Sequence, residues 1–242
     1  MNLIAIETAT DVCGVALLQG SHVTVDLNLA RPRAHAENLV LLIRDALHYG
    51  GISRTDLDAV AVSMGPGSYT GLRIGVSAAK GLAVALGIKL VGVPTLEALA
   101  ASVLPVARPG DVICAALNAR RNEVYAAASE VRPDGTLESL AETNALIEED
   151  IPAWFGNLPS GTVWIVGDGG PKAAAALEEQ HTHRVRLLQP ALHPPSAAWI
   201  ARLGLHRLEL GMEEDTASFE PFYLKEFVAK KRERSIFERL PF

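Results

Sequence analysis

Cysteine and aromatic residues are both scarce in this sequence of 242 residues. Its two cysteines, Cys13 and Cys114, are too few for a disulfide framework or a cysteine zinc site. Aromatic residues make up 5% of a chain that is 49% hydrophobic, so small aliphatic side chains supply most of the apolar content. The longest apolar stretch, 71–93, contains three basic residues, which argues against a membrane span. No targeting signal precedes the first strand-like run, so we expect a soluble, cytoplasmic protein.

The chain also lacks the basic face that is typical of a protein that binds nucleic acid alone. Residues 1–100 contain 7 basic and 8 acidic side chains, residues 101–224 contain 9 and 17, and residues 225–242 contain 6 and 3. The acidic middle of the chain argues against direct RNA binding. The basic tail favours a solvated chain end over a nucleic-acid contact; its basic residues include Lys225, Lys230, Lys231, Arg232 and Arg234.

Strand-like runs and helical spacing alternate along the chain and predict an α/β protein. A strand–turn–strand unit at 3–19 recurs at 112–130, and each copy is followed by helices and further strands. We interpret this recurrence as two related lobes, 1–104 and 105–194, followed by a closing helix and basic tail at 195–242.

Glycine and proline residues mark several predicted helix boundaries. A first long helix begins near His35 and stops at Gly50-Gly51, and a second occupies 71–86 and ends at Gly87. Thr95 is the expected N-cap of a shorter helix that continues to residue 103.

Two glycine-rich loops each lie between a predicted strand and a predicted helix. The first, at 65–71, lacks the Gly-Lys-Ser/Thr of a P-loop and the spacing of a dinucleotide fingerprint. The second is 167–170. Together they indicate a cleft that could hold a nucleotide between the lobes, but tight structural turns explain them at least as well. The candidate residues of this vestigial nucleotide cleft are Glu7, Thr8, Gly65, Gly67, Ser68, Gly167, Gly169 and Gly170.

A complete catalytic set is missing from the sequence. The histidines include no pair at the i, i+4 spacing of a helical zinc site, so no metal site is expected. Glu7 and Asn118 end equivalent strands, and one carboxylate with one amide is a poor pair for acid–base or metal chemistry. No serine lies in a nucleophile elbow, and neither cysteine has a basic neighbour in sequence.

The two predicted long helices carry more apolar surface than one buried stripe requires. Residues 39–43 are apolar all the way round a helix, so Val40 and Leu41 need a cover other than the lobe core. The helix at 71–86 presents a face of Gly and Ala residues that another backbone could approach closely. Burial within the chain and burial against a partner are equally compatible with this pattern.

Motifs along nearly the whole chain resemble the bacterial TsaB family, also called YeaZ. The most specific is GPGSYTGLRIG at 65–75. Further support comes from IAIETAT at 4–10, HAENL at 35–39, ARRNEVY at 119–125 and PFYLK at 221–225. The sequence departs from the family in having Glu7 where Asp is usual and Asn118 where Asp is frequent, which further weakens the case for a working Mg-nucleotide cleft.

The resemblance implies a two-lobed actin/Hsp70-like (ASKHA) fold, with duplicated mixed sheets flanked by helices. It implies a role in making N6-threonylcarbamoyladenosine at position 37 of tRNA, as the non-catalytic paralogue and activator of TsaD. The catalytic paralogue holds its metal through a histidine pair on its first long helix; this chain has only His35 in that region. The resemblance also implies TsaE, an ATPase, as a further partner, a homodimer in the absence of TsaD, and contact with tRNA only through the complex.

In the family, the first two long helices form the contact with TsaD or with a second copy of the chain. The interface residues implied for this chain are His35, Leu39, Val40, Leu41, Leu42, Ile43, Arg73, Gly75, Ala78, Ala79 and Leu82. The chain is expected to need no cofactor itself, although ATP or ADP could bind at the junction of the complex. The alternative function is a Mg-nucleotide-dependent ATPase or phosphotransferase of the ASKHA class.

Overall fold

A computed structural model describes residues 1–31, 34–119, 121–159, 161–177, 184–190 and 193–225. The first lobe is built on a five-stranded sheet with the order β3-β2-β1-β4-β5. Strands β1 to β3 form an antiparallel meander, whereas β4 and β5 run parallel to β1. The strands are β1 (Asn2–Glu7), β2 (Val12–Gln19), β3 (His22–Ala30), β4 (Ala59–Gly65) and β5 (Lys89–Pro94).

The second lobe repeats this sheet. Its order is β8-β7-β6-β9-β10, again with an antiparallel meander on one side of the first strand and parallel strands on the other. This repetition confirms the predicted fold, two related lobes with duplicated mixed sheets. The strands are β6 (Val112–Asn118), β7 (Glu123–Val131), β8 (Leu137–Ile147), β9 (Thr162–Val166) and β10 (Arg184–Leu187).

Helices cover both faces of the two sheets. Helices α1 (His35–Tyr49) and α2 (Tyr69–Leu86) pack on the outer face of the first sheet, and α6 (Ala197–Glu209) packs on its inner face. Helix α3 (Thr95–Ala101) contacts α6 and packs mainly on the inner face of the second sheet. The outer face of that sheet is covered by α4 (Ile151–Gly156) and α5 (Gly170–Leu177).

Glycines end the two long helices where the sequence predicts, but α2 begins at Tyr69, two residues before the predicted start at Gly71. The Oγ of Ser68 accepts a hydrogen bond from the Gly71 amide at 3.3 Å, which caps the start of α2. Gly87 ends that helix with φ +65°, and Gly51 follows α1 with φ +67°, both in the left-handed region that glycine adopts at little cost. The prediction of Thr95 as an N-cap is wrong: Pro94 occupies the cap in an extended conformation, and Thr95 is the first helical residue.

Among the strands and α-helices, β8 and α4 are the two that the sequence pattern does not predict. Strand β8 lies at the edge of its sheet and has a mostly half-buried or exposed sequence, so it lacks a strong apolar alternation. Helix α4 has only six residues, fewer than periodicity can detect. The basic residues Lys230, Lys231, Arg232 and Arg234 lie outside the described residues. Within the described ranges, no helix combines the length and apolarity needed to cross a membrane.

Candidate functional site

The surplus apolar residues of α1 point away from the lobe core. Leu39, Ile43 and Ala46 lie at i, i+4 and i+7 and are buried against the first sheet. Between them, the side chains of Val40 and Leu41 are 69% and 46% exposed. The chain itself therefore leaves uncovered the two residues whose pattern indicated a need for another cover.

Helix α2 turns the glycines of its first two turns inward rather than outward. A Cβ atom on Gly75 would lie 2.2 Å from the Thr8 Oγ1, and one on Gly71 would lie 2.0 Å from the Thr8 carbonyl oxygen. Both glycines thus let α2 approach the end of β1, and they are not a free flat surface. On the outer side of the same helix, Arg73 is exposed and Val84 is 73% exposed.

The structure divides the interface residues implied by the resemblance into three groups. The exposed members, which a partner could contact directly, are Val40, Leu41 and Arg73. The half-buried members, which lie at the edges of the helices, are Leu42, Ala78 and Leu82. The buried members, which support the helices from below, are His35, Leu39, Ile43, Gly75 and Ala79.

His35 has a structural contact. Its Nε2 lies 3.2 Å from the carbonyl oxygen of Val12 and donates to it, which anchors the first turn of α1 to the start of β2. Among the described residues, no group of three or more His, Cys, Asp or Glu side chains could hold a metal ion. Within those residues, His35 therefore has no set of neighbours that would make it a metal ligand.

A cavity of about 520 Å³ lies in the cleft between the lobes. The first lobe contributes residues 9–11 and 66–70, which follow β1 and precede α2. The second lobe contributes the end of β6, the start of β7 and Asp168, which follows β9. This wall is mainly polar, and its carboxylate groups include Asp11 and Asp168.

The charged groups of the cleft are mixed: the lining contains Arg121 and Lys225 as well as Asp11 and Asp168. Burial raises the pKa of Asp168, and the negative charge of Asp11 across the cleft adds to the rise. The Asp168 Oδ1 accepts a hydrogen bond from the Asn118 amide at 2.9 Å, which fixes the carboxyl group at the cleft wall. The carboxyl groups would repel an anion and the two basic side chains would attract it, so the charge of the lining alone neither selects nor excludes a nucleotide.

Glu7, a predicted cleft residue, lies outside the cleft lining. Its side chain is 1% exposed, its Oε1 accepts the Ala9 amide at 2.6 Å, and its Oε2 has no hydrogen-bond partner among the described residues. Burial raises the pKa of Glu7 from 4.5 to about 7, although hydrogen bonds from Ala9 and Ser63 oppose the rise. Glu7 is thus a buried carboxyl group with no access to a cleft ligand.

The other predicted cleft residues lie in different parts of the structure. Gly67 and Ser68 line the cavity. Thr8 is buried beneath α2, and Gly65 lines a second cavity between the lobes. The second glycine loop flanks Asp168 in sequence with Gly167, Gly169 and Gly170. Cβ atoms on Gly167 and Gly169 would collide with the backbone of Ala116 and Leu117. These close approaches support the structural interpretation of the second glycine loop.

The sequence pattern gives no indication that the C-terminal residues lie in the cleft. Phe222, Tyr223, Leu224 and Lys225 line the cavity beside residues from both lobes. The motif that contains them was noticed only as a family resemblance, because an extended segment without periodicity gives no signal of where it packs.

Known proteins resemble this chain over most of its length. A family model described as "TsaD: tRNA N6-adenosine threonylcarbamoyltransferase" matches residues 30–232. The chain is 36% identical over 151 residues to the tRNA threonylcarbamoyladenosine biosynthesis protein TsaB of Escherichia coli, an alignment that covers 62% of this chain and 64% of the relative. It is 28% identical over 238 residues to TsaB of Haemophilus influenzae, covering 96% and 97% of the two chains.

The chain is also similar to a solved structure. YeaZ from Pseudomonas aeruginosa is similar with a TM-score of 0.77 and 26% sequence identity, over 92% of this chain and 99% of the YeaZ chain. Both lobes are therefore included in the similarity.

Proposed function

The chain belongs to the TsaB family of tRNA threonylcarbamoyladenosine biosynthesis proteins, and we propose that it serves that pathway as a non-catalytic subunit that binds and activates a TsaD paralogue. The observation that carries the proposal is the outer face of α1 and α2, where Val40, Leu41 and Val84 are uncovered. Each leaves apolar area in water, and a partner helix would remove it.

Two features of the chain support a non-catalytic role. Glu7 is sealed in the core outside the cleft, and no group of three side chains that could hold a metal ion occurs among the described residues. As a non-catalytic subunit, the chain needs no cofactor of its own. ATP or ADP would bind where the partner adds cationic groups.

The remaining partners are those that the family resemblance implies. TsaE would bind the assembled complex, and a second copy of this chain would cover the outer face of α1 and α2 when TsaD is absent. RNA would be reached through the complex, because the second lobe is the acidic part of this chain.

The proposal is tested by mixing the chain with TsaD from the same organism and measuring affinity by calorimetry. Replacing Val40 or Leu41 by Asp should weaken association by about 30-fold or more, because a charge would be buried at the contact. Val106→Asp is the matched control: Val106 is 55% exposed and belongs to the segment between α3 and β6, outside α1 and α2, so affinity should be unchanged. Equal affinity of all three variants and the wild type would contradict the proposal.

The alternative, a Mg-nucleotide-dependent ATPase, is tested on the isolated chain. Saturable Mg-ATP binding with turnover that is lost in Asp168→Ala would favour it, since Asp168 is a cleft carboxyl group. We expect neither binding nor turnover.

A further inference from the structure

Residues 213–225 leave the end of α6 and travel along the first lobe to the interlobe cleft. The Glu214 amide donates to the Leu90 carbonyl oxygen at 2.8 Å, and Glu213 forms an ion pair with Lys89 at 2.7 Å. Both contacts attach the segment to β5. We name residues 213–225 the C-terminal strap.

Helix α2 and strand β4 hold the middle of the strap. The Lys80 Nζ donates to the carbonyl oxygens of Ala217 and Phe219, at 3.1 Å and 2.9 Å. Phe219 is buried, and its ring lies where a side chain on Gly92 would be. The Phe222 amide donates to the Met64 carbonyl oxygen at 2.7 Å. The strap is therefore fixed to the first lobe by backbone, side-chain and apolar contacts.

The end of the strap crosses to the second lobe. Tyr223 packs against Tyr69 at the start of α2, with ring centroids 4.9 Å apart. Two residues later, the Lys225 Nζ forms an ion pair with Glu123 and lies 5.6 Å from the centre of the Tyr125 ring. Glu123 and Tyr125 belong to β7, so neighbouring strap residues contact opposite sides of the cleft.

The strap contacts oppose a repulsion inside the same cleft. Asp11 of the first lobe and Asp168 of the second are close enough for the charge of one to affect the other, and both line the cavity. Two like charges facing each other favour a wider cleft, whereas the pairing of Lys225 with Glu123 favours a closed one. The half-buried position of that pair, with side-chain exposures of 32% and 30%, shields it from solvent screening.

We propose that the C-terminal strap is a clasp: Tyr223 and Lys225 hold the two lobes together across the cleft, and their release lets the cleft open. The clasp requires no ligand and no partner, because both of its ends lie within this chain. Opening would separate Asp11 from Asp168 and expose the cavity between them.

The test measures the distance between spin labels by pulsed electron paramagnetic resonance on the isolated chain. Labels are attached to Ala36→Cys in α1 and Ala153→Cys in α4, two exposed positions on different lobes. The native cysteines are both buried and should not react. A second copy bound at the outer face of α1 and α2 would add distances between chains, so the doubly labelled chain is diluted into an excess of unlabelled chain. It should then give one narrow distance distribution.

Tyr223→Ala with Lys225→Ala should shift and broaden that distribution towards longer separations. Glu220→Ala is the matched control, since Glu220 is an exposed strap residue with no hydrogen bond or ion pair to another described residue. An unchanged distribution in the double variant, with the fold verified by circular dichroism, would overturn the proposal. So would an equal shift in Glu220→Ala.

A charge reversal keeps the test valid if the double variant does not fold. Lys225→Glu should open the cleft, because the new carboxylate would face the carboxylate of Glu123. Adding Glu123→Lys should restore the narrow distribution by remaking the pair in reverse. Opening without restoration would show that this pair does not hold the lobes, and would overturn the proposal.

Discussion

The two lobes share one sheet topology but differ in the helices on their outer faces. In the first lobe, α1 and α2 have 15 and 18 residues and leave Val40, Leu41 and Val84 exposed. In the second lobe, α4 and α5 have 6 and 8 residues, and neither carries an exposed large hydrophobic side chain. The duplicated sheets therefore determine the fold. The exposed apolar side chains on the outer helices of the first lobe distinguish a surface suited to a partner.

The largest effect is expected from the buried face of α1, in comparison with its exposed face. Leu39→Ala should lower the free energy of unfolding by about 3 kcal/mol, because it removes a side chain that is 2% exposed and leaves a cavity. At a chain concentration low enough to keep the chain monomeric, Leu41→Ala should change it by less than about 0.5 kcal/mol. Urea denaturation of the isolated chain measures both.

In the second lobe, Leu177→Ala should cost as much as Leu39→Ala, since Leu177 is 3% exposed. Similar losses for Leu39 and Leu41 would refute the assignment of inner and outer faces.

The lobes also differ at the ends of their first strands, where Glu7 is buried and Asn118 is exposed. Because the folded-state pKa of Glu7 is about 7, above its ordinary 4.5, the folded protein holds this proton more tightly than the unfolded chain. The contribution of this proton to the free energy of unfolding is fully present below pH 4.5 and is lost as the pH rises to about 7. The loss should be about 3 kcal/mol, at 1.36 kcal/mol for each pKa unit.

Glu7→Gln removes this titration while preserving the shape of the side chain. Urea midpoints between pH 4.5 and 8 should fall with rising pH in the wild type relative to the variant. Parallel profiles would mean that Glu7 has an ordinary pKa. Asn118→Ala, in the second lobe, should leave the pH dependence unchanged.

A smaller effect is expected where α2 approaches β1. Gly71→Ala should destabilise the chain by about 2 kcal/mol, because its Cβ would collide with a backbone oxygen that cannot move aside freely. Thermal melting followed by circular dichroism measures the change. A melting temperature equal to that of the wild type would show that the contact between α2 and the end of β1 is loose.

The smallest effect should come from the outer side of the same helix. Gly81 is exposed, and a Cβ atom there would meet nothing within 4 Å. Gly81→Ala should therefore stabilise the isolated chain by about 0.5 kcal/mol, through helix propensity alone. A loss of stability would indicate that this face already packs against something, such as a second copy of the chain.

The sequence predicted those parts of the molecule whose structure depends on local pattern. Apolar runs identified β1 and β6, and spacing identified α1, because burial on one side imposes a period. That Val40 and Leu41 point away from the lobe core also followed from that period, whereas their exposure did not, because burial elsewhere in the chain fitted the pattern equally well. By contrast, β8 was missed because an edge strand with a mixed sequence obtains its structure from its neighbour β7.

Contacts distant in sequence were beyond prediction at the candidate site. Glu7 was expected in the cleft because it ends a strand, but alternation along β1 turns it to the inner face, where Ala197 of α6 lies nearby. Tyr223 and Lys225 occupy the cleft through contacts with residues 69 and 123. No local pattern encodes such pairings, since they depend on how the lobes and the strap assemble.

The position of α6 has a consequence for the order in which the chain can fold during translation. Residues 2–94 contain every strand of the first sheet, but its inner face is covered by Ala197, Ile200 and Ala201. A ribosome must therefore add more than a hundred further residues before that apolar face is sealed. The second sheet meets α3, which is made before it, as soon as its own strands emerge. The lobe that is synthesised first is thus the last to be completed, and it is the one that a chaperone would need to protect.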